Sequence, residues 1–125
     1  MRESLRQADI RLALAERRDN VFWRNQVGEA THYKGGRTCP TCHQQTLGAR
    51  KWVVPYGLCV GSSDLIGLVQ GVFVGLEVKA ARGRESDKQK LYRQLVADNG
   101  GLVRVVRTVG QANQVIEEAK QWTSR

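Results

Sequence analysis

The apolar residues of the chain fall into short blocks, some with helical spacing and some with strand spacing. Ile10 and Leu14 lie on one stripe of a predicted helix over 4–18, beside a neighbouring stripe that starts at Leu5. Further helices are predicted over 86–98 and 110–122. Apolar, partly β-branched runs predict strands at 21–25, 51–55, 64–69, 72–80 and 102–106.

Two of these strands form a predicted β-hairpin that sets two acidic side chains against each other. The dipeptide Gln70-Gly71 separates them and is a turn candidate. If the turn centres there, Asp64 faces Glu77, and directly opposed residues have Cβ atoms about 4.5–5.5 Å apart. Lys79 follows Glu77 by two positions, so it lies on the same face of the sheet.

This pair of acids indicates a metal site. Like charges that face each other destabilise a sheet. A cation held by Asp64 and Glu77 removes that penalty, and Mg²⁺ is typically bound by one or two carboxylates together with phosphate oxygens and water. Lys79 can then hold the attacking water or neutralise charge that develops on the phosphate. The residues therefore favour a metal-dependent phosphodiesterase; a hairpin with an ordinary surface Glu-x-Lys pair is the alternative.

The charge of the chain favours a polyanionic partner. The 125 residues carry a formal net charge of +8, with a pI near 9.9. Basic residues cluster just after the Glu-Val-Lys strand, where a phosphate backbone would need them, although a solvated helix face is the simpler interpretation. The predicted DNA-binding residues are Arg82, Arg84, Lys88, Lys90 and Arg93.

The length and order of the elements predict one α/β domain over 1–125. A strand–helix–strand unit from 72 to 106 should form a parallel crossover, so a mixed sheet flanked by helices is expected. Residues 29–50 are polar and Gly-rich and are interpreted as a loop or small insertion. No apolar run approaches the ~20 residues of a membrane span. The N-terminus lacks a signal-peptide core, so a cytoplasmic location without membrane partners is expected.

A Cys-x-x-Cys pair in the predicted insertion is a second candidate site. Cys39 and Cys42 have a spacing that is common in zinc knuckles, and Cys59, His43 or His32 could complete four ligands. A second Cys-x-x-Cys is missing from the sequence, so the zinc pattern is incomplete. A redox pair and simple free thiols are the alternatives.

Several of these motifs together resemble the virus-type replication-repair nuclease (VRR-NUC) domain. The resemblance rests on Gly61-Ser62-Ser63-Asp64-Leu65-Ile66-Gly67, on Glu77-Val78-Lys79 and on Gln89, supported by Trp23-Arg24-Asn25 and Asn99-Gly100-Gly101-Leu102. It covers nearly the whole chain apart from 29–50. It implies a PD-(D/E)XK restriction-endonuclease-like core of order α-β-β-β-α-β and Mg²⁺- or Mn²⁺-dependent cleavage of DNA. Small phage-type members of the family imply a homodimer acting on branched or junction DNA.

The resemblance also implies roles for individual residues. Asp64 and Glu77 match the metal-binding carboxylates, with the Val78 backbone carbonyl as a further metal ligand, and Lys79 matches the catalytic lysine. Gln89 matches a glutamine on the following helix.

Two of the implied residues have alternative interpretations. Ser86-x-x-Gln89 is also a capping box, in which Gln89 would reach back to the Ser86 amide. An acidic metal ligand from the first helix is implied as well, and Glu3 is the best match because it shares the inward stripe with Ile10. Ser4 could cap that helix and leave Glu3 outside it, with Asp9 as the other choice.

Two other classes of function remain open from the sequence. The chain could be a non-catalytic DNA-binding module of the same fold, or a zinc-dependent interaction protein in which residues 32–59 do the work. The three tryptophans, Trp23, Trp52 and Trp122, are predicted to pack in the core or an interface rather than to stack on bases.

Overall fold

A computed structural model describes residues 2–46, 48 and 50–122. The chain divides into two compact units. The first, which we call the sheet unit, comprises Met1–Asn25 and Leu58–Arg125, and the second, the ribbon unit, comprises Gln26–Gly57. The elements in chain order are α1 (Glu3–Glu16), β1 (Val21–Arg24), β2 (Gly28–Lys34), β3 (Arg50–Tyr56), β4 (Leu65–Val69), β5 (Val72–Val78), α2 (Asp87–Asp98), β6 (Leu102–Val106) and α3 (Val109–Lys120).

The sheet unit is built on a mixed four-stranded sheet in the order β1-β4-β5-β6. Strands β1, β4 and β5 pair antiparallel, whereas β5 and β6 pair parallel across α2, as the crossover prediction required. The hairpin register is also as predicted, since Val69 pairs with Val72 and Leu65 with Leu76. Gln70 and Gly71 make the turn with φ values of 49° and 83°, the left-handed pair that a two-residue hairpin turn needs.

One face of this sheet forms the hydrophobic core with α1 and α3. Val74, Leu76 and Val78 of β5 are buried in it, and Ile10 and Leu14 of α1 pack against them as the helical stripe predicted. Because side chains alternate along a strand, Glu77 lies on the other face of the sheet. The core therefore fixes the strand that carries the predicted acidic residue.

The ribbon unit contains a strand that the sequence did not predict. Residues 29–50 were interpreted as a loop or small insertion, and the first part of this segment is not a loop, because β2 pairs antiparallel with β3 as a separate two-stranded sheet. The strand predicted at 51–55 joins this ribbon. Every residue of β3 and five of the seven residues of β2 are exposed, so neither strand shows one buried face, and periodicity does not reveal β2.

Two of the tryptophans lie outside the core, which was one of the two locations predicted for them, and packing in an interface stays a prediction. Trp23 and Trp52 are nearly half exposed, whereas Trp122 packs against the core and donates its ring N–H to the Gly100 carbonyl at 3.0 Å. In the part of the chain that the structure describes, no helix combines the length and apolar character that crossing a bilayer requires.

Candidate active site

The open end of the β4–β5 hairpin brings Asp64 and Glu77 together. Asp64 immediately precedes β4, and the neighbouring pair Leu65–Leu76 extends the register to place it beside Glu77. The Asp64 carboxylate accepts a hydrogen bond from the Val78 backbone N–H at 2.9 Å, and the backbone carbonyl of Asp64 accepts one from Asn25 at 2.9 Å. The side chain and the backbone of Asp64 are thus both held at this end of the sheet.

Glu77 is a fully buried carboxylic acid, with 0% of its surface exposed. Its Oε2 accepts a hydrogen bond from Gln89 Nε2 at 3.1 Å, whereas Oε1 has no partner among the described residues. Burial, followed by the charge of Asp64, raises the pKa of Glu77 to about 7, and Lys79 opposes this rise. Glu77 is therefore poised between its neutral and charged forms near neutral pH.

The pKa of Asp64 is raised as well. Burial is the main cause, and the Val78 N–H and the positive charge of Lys79 counteract it. Glu3 adds to the rise, so the first turn of α1 lies near enough to Asp64 for the two charges to interact. Two neighbouring carboxyl groups that both resist ionisation form a site that favours a cation.

Gln89 combines the two roles that the sequence left open. Its side-chain oxygen accepts from the Ser86 backbone N–H at 2.9 Å, and its backbone N–H donates to the Ser86 hydroxyl at 3.2 Å. This is the predicted capping box of α2. The amide nitrogen of the same side chain is then free to donate to Glu77, so the cap aims Gln89 at the acid.

The first helix begins two residues earlier than it would with Ser4 as its N-cap. Arg2 is the N-cap, so Glu3 lies inside the first turn of α1, where its side chain is exposed. Asp9 lines a separate shallow cavity with Arg6 and Arg107. Of the two candidate acids on this helix, Glu3 is the one whose charge acts on Asp64.

Three residues that were named in the resemblance, but without a role of their own, support the segment that carries Asp64. Asn25 donates to the Ser62 hydroxyl at 2.7 Å and to the Ser63 carbonyl at 2.9 Å, which fastens the segment before Asp64 to the end of β1. Ser63 is buried, and its hydroxyl slightly lowers the pKa of Glu77 without meeting hydrogen-bond geometry. In the sequence these residues appeared only within the motifs Gly61-Ser62-Ser63-Asp64-Leu65-Ile66-Gly67 and Trp23-Arg24-Asn25, and no local pattern indicated their hydrogen bonds.

Glu85 was also missed. Its charge contributes to the raised pKa of Glu77, one of its oxygens pairs with Arg93 at 3.0 Å, and the other is buried without a partner among the described residues. Arg93, which was predicted to contact DNA, forms this ion pair while its side chain stays 44% exposed, and its contact with DNA stays a prediction. No local pattern marks Glu85, because the β5–α2 loop brings it to the site.

The other predicted DNA-binding residues are exposed, but they do not form one face. On α2, Lys88 lines an apolar groove with Leu91 and Leu95. Lys90 and Arg93 are three residues apart and share another side of the helix. Arg82 and Arg84 lie in the loop before α2. None of Arg82, Arg84, Lys88 and Lys90 forms an ion pair within the described ranges.

The cysteines of the predicted zinc site are free thiols. Cys39 and Cys42 lie in a tight turn of the ribbon unit, in which the Cys39 carbonyl accepts from the His43 N–H at 2.9 Å. Backbone N–H groups of Cys42 and Thr41 lower the pKa of Cys39. Cys59 belongs to the sheet unit. Among residues 2–46, 48 and 50–122, no group of three or more His, Cys, Asp or Glu side chains is placed to hold a metal ion.

The Asp64–Glu77 pair fits a hard divalent cation such as Mg²⁺ or Mn²⁺. All its side-chain donors are carboxylate oxygens, and the unpartnered Glu77 Oε1 is buried beside Asp64. Two carboxylates suffice for Mg²⁺, which keeps waters and phosphate oxygens in its shell.

A comparison of the chain with protein-family models and with curated protein sequences gives no match.

Proposed function

We propose that this protein is a divalent-metal-dependent deoxyribonuclease of the VRR-NUC type, with a PD-(D/E)XK core. The observation that carries the proposal is the buried Glu77 carboxyl, which has one oxygen without a partner and stands beside Asp64. A buried carboxylate oxygen without a hydrogen-bond partner destabilises a fold, and a bound cation would remove that cost. Without the ribbon unit, the element order is α-β-β-β-α-β-α, which contains the order expected for this core.

Each residue has a defined task in the proposed reaction. Asp64 and Glu77 would hold the cation, and the charge of Glu3 from α1 would add to the negative potential at Asp64. A divalent cation held there would lower the pKa of a water molecule and would stabilise the charge of the scissile phosphate. Gln89 fixes the rotamer of Glu77 through its hydrogen bond. Lys79, on the same sheet face, orients the attacking water and offsets the negative charge that accumulates on the phosphate.

The substrate is proposed to be DNA recognised by shape. The net charge of +8 and the exposed cations beside the site favour a phosphate backbone. Phosphate contacts position a nucleic acid without reading its sequence. Branched or junction DNA, bound by a homodimer, is the form of this proposal that the family resemblance favours.

A nuclease assay with Mn²⁺ tests the proposal. Wild type should cleave a labelled branched DNA, and Asp64→Asn and Lys79→Ala should lower the cleavage rate by at least 100-fold. Asp9→Asn is the matched control, since Asp9 is an exposed acid on α1 away from the pair. Equal cleavage by all four proteins would contradict the assignment, and DNA binding without any cleavage would favour a non-catalytic module.

A further inference from the structure

The ribbon unit carries a face of mixed aromatic and basic side chains. In the antiparallel register of β2 and β3, directly paired residues share a face. We call the face formed by the following pairs the aromatic face: Gly28–Tyr56, Ala30–Val54, His32–Trp52 and Lys34–Arg50. The opposite face consists of Glu29–Pro55, Thr31–Val53 and Tyr33–Lys51. Every residue of β3 is exposed, and His32 and Lys34 of β2 are exposed as well.

The aromatic rings on this face are already arranged for stacking. The His32 and Trp52 rings are parallel within 15°, with centroids 5.3 Å apart, and 45% of the Trp52 surface is exposed. The Tyr56 ring lies across Gly28, where a Cβ would fall 2.5 Å from the tyrosine hydroxyl. Trp52 and Tyr56 are four residues apart on one strand, a separation of about 13 Å.

The charge at the end of the same face is positive and uncompensated. Lys34 and Arg50 are directly paired across the strands, which is an unfavourable arrangement of like charges unless an anion lies beside them. The ribbon unit contains four cationic residues and one acid, Glu29, which gives a net charge of +3. Glu29 lies on the opposite face. The aromatic face thus offers flat rings and positive charge, with no carboxylate.

We propose that the aromatic face binds a single-stranded segment of nucleic acid, with unpaired bases on Trp52 and Tyr56 and phosphates on Lys34 and Arg50. Aromatic platforms beside a cationic path are the general means of binding single strands, because every base has a flat face. Paired bases show only their edges, so duplex DNA gains less from exposed rings. This binding is distinct from the proposed cleavage and does not require it.

The proposal is tested by binding of a labelled 20-nucleotide single strand, measured by fluorescence anisotropy. The 125-residue chain carries Glu77→Gln, and the buffer contains EDTA, so that no cleavage occurs. Trp52→Ala should weaken binding about tenfold, as expected for the loss of one stacked base. Tyr33→Ala is the matched control, because Tyr33 is an equally exposed aromatic residue on the opposite face. It should change the affinity by less than about twofold.

Arg50 and Lys51 give a second matched comparison, because they are neighbouring cations on opposite faces of the ribbon. Arg50→Gln should lower the slope of log affinity against log salt by about 0.7, the value for one phosphate contact on a single strand. Lys51→Gln removes the same charge from the opposite face and should leave the slope of log affinity against log salt largely unchanged. Equal losses for Trp52→Ala and Tyr33→Ala, or for Arg50→Gln and Lys51→Gln, would overturn the proposal.

Two further measurements exclude unfolding and simple charge attraction. Trp52→Phe keeps an aromatic ring and should bind within about threefold of the parent, whereas a tenfold loss here would contradict stacking. Poly-glutamate, a polyanion without bases, should compete poorly with the single strand. Competition as strong as that of an unlabelled single strand would also overturn the proposal, since binding would then depend on charge alone. Because cleavage is absent from these assays, their outcome is separate from that of the nuclease test.

Discussion

The Gln89 amide donates to the Glu77 carboxylate at 3.1 Å while the same side chain closes the capping box with Ser86. A local helix cap is thereby joined to a buried acid on the sheet. The helix start positions the donor, and the donor holds one oxygen of the acid while the other stays unpartnered. The oxygen of the Gln89 side chain serves the cap and its nitrogen serves Glu77, so the two roles can be tested separately.

Substitution of Gln89 by Glu should retain the helix but disturb the site. Glu at this position of a capping box still accepts from the Ser86 N–H. It cannot donate to Glu77, and it adds a negative charge beside it. We expect thermal stability within about 1 kcal/mol of wild type and a cleavage rate lowered at least tenfold in the Mn²⁺ assay. Ser86→Ala weakens only the cap, so it should lower the stability and leave the cleavage rate close to that of wild type. Equal activity of the two variants would contradict the coupling.

The stability of the metal-free protein should depend on pH through Glu77. Its pKa is about 7 in the folded chain and 4.5 as a model value, so the folded state binds this proton more tightly. The free energy of unfolding therefore falls by about 3 kcal/mol as pH rises from 4.5 through 7. Urea unfolding in EDTA at pH 5 and pH 8 measures this change. Glu77→Gln should greatly reduce it and leave the part that comes from the raised pKa of Asp64; an unchanged pH dependence in that variant would exclude Glu77 as its source.

Added Mn²⁺ should stabilise the protein more at pH 8 than at pH 6. A carboxyl must lose its proton before it can bind a metal, and at pH 6 Glu77 is mainly protonated. Thermal unfolding with and without Mn²⁺ at the two pH values gives the comparison. The stabilisation should vanish in Asp64→Asn and persist in Asp9→Asn. A shift of equal size at both pH values would argue against binding at Glu77.

Two substitutions of Asp64 should separate its charge from its hydrogen bond. Asp64→Asn keeps an oxygen that can accept from the Val78 N–H, whereas Asp64→Ala leaves that donor without a partner. The Ala variant should be less stable than the Asn variant by about 1–3 kcal/mol in urea unfolding, the cost of a buried unsatisfied group. Both should lack cleavage activity. Equal stability of the two would show that the Val78 bond contributes nothing.

The glycine beneath the site should tolerate no side chain. A Cβ at Gly75 would overlap the Ser63 hydroxyl and press on Val103. We expect Gly75→Ala to lower the free energy of unfolding by about 1–3 kcal/mol and to displace the segment that leads to Asp64. Gly110→Ala is the control, because its nearest neighbour would be the Thr108 hydroxyl at 3.8 Å. It should be neutral or slightly stabilising, and a similar loss in both variants would contradict this packing argument.

Parts of the site could be predicted because their geometry is local. The two-residue turn at Gln70-Gly71 fixes the register of the hairpin, and the register places Asp64 beside Glu77. The capping box of Ser86 and Gln89 spans three residues and is equally readable. The resemblance only matched Gln89 to a glutamine on the following helix, and the hydrogen bond from Gln89 to Glu77 could not be predicted because it joins a helix to a separate strand.

Other parts depend on segments that are far apart in the chain. Glu85 reaches the surroundings of Glu77 through a loop, and Asn25 holds the backbone before Asp64 from the end of β1. Strand β2 of the ribbon escaped prediction for a different reason. His32 and Trp52 are both exposed, so their strands show no buried face, and Trp52 does not lie in the core.

The sequence by itself determined the helices, the hairpin register and the opposition of Asp64 and Glu77, because turns, caps and strand alternation act between near neighbours. Only the tertiary structure decided that Glu77 is fully buried with one oxygen unpartnered, and that its pKa lies near 7. Burial and charge coupling are sums over groups from many segments. Both are determined only when the sheet has packed against its core. Together they make this pair of acids in a hairpin a candidate cation site.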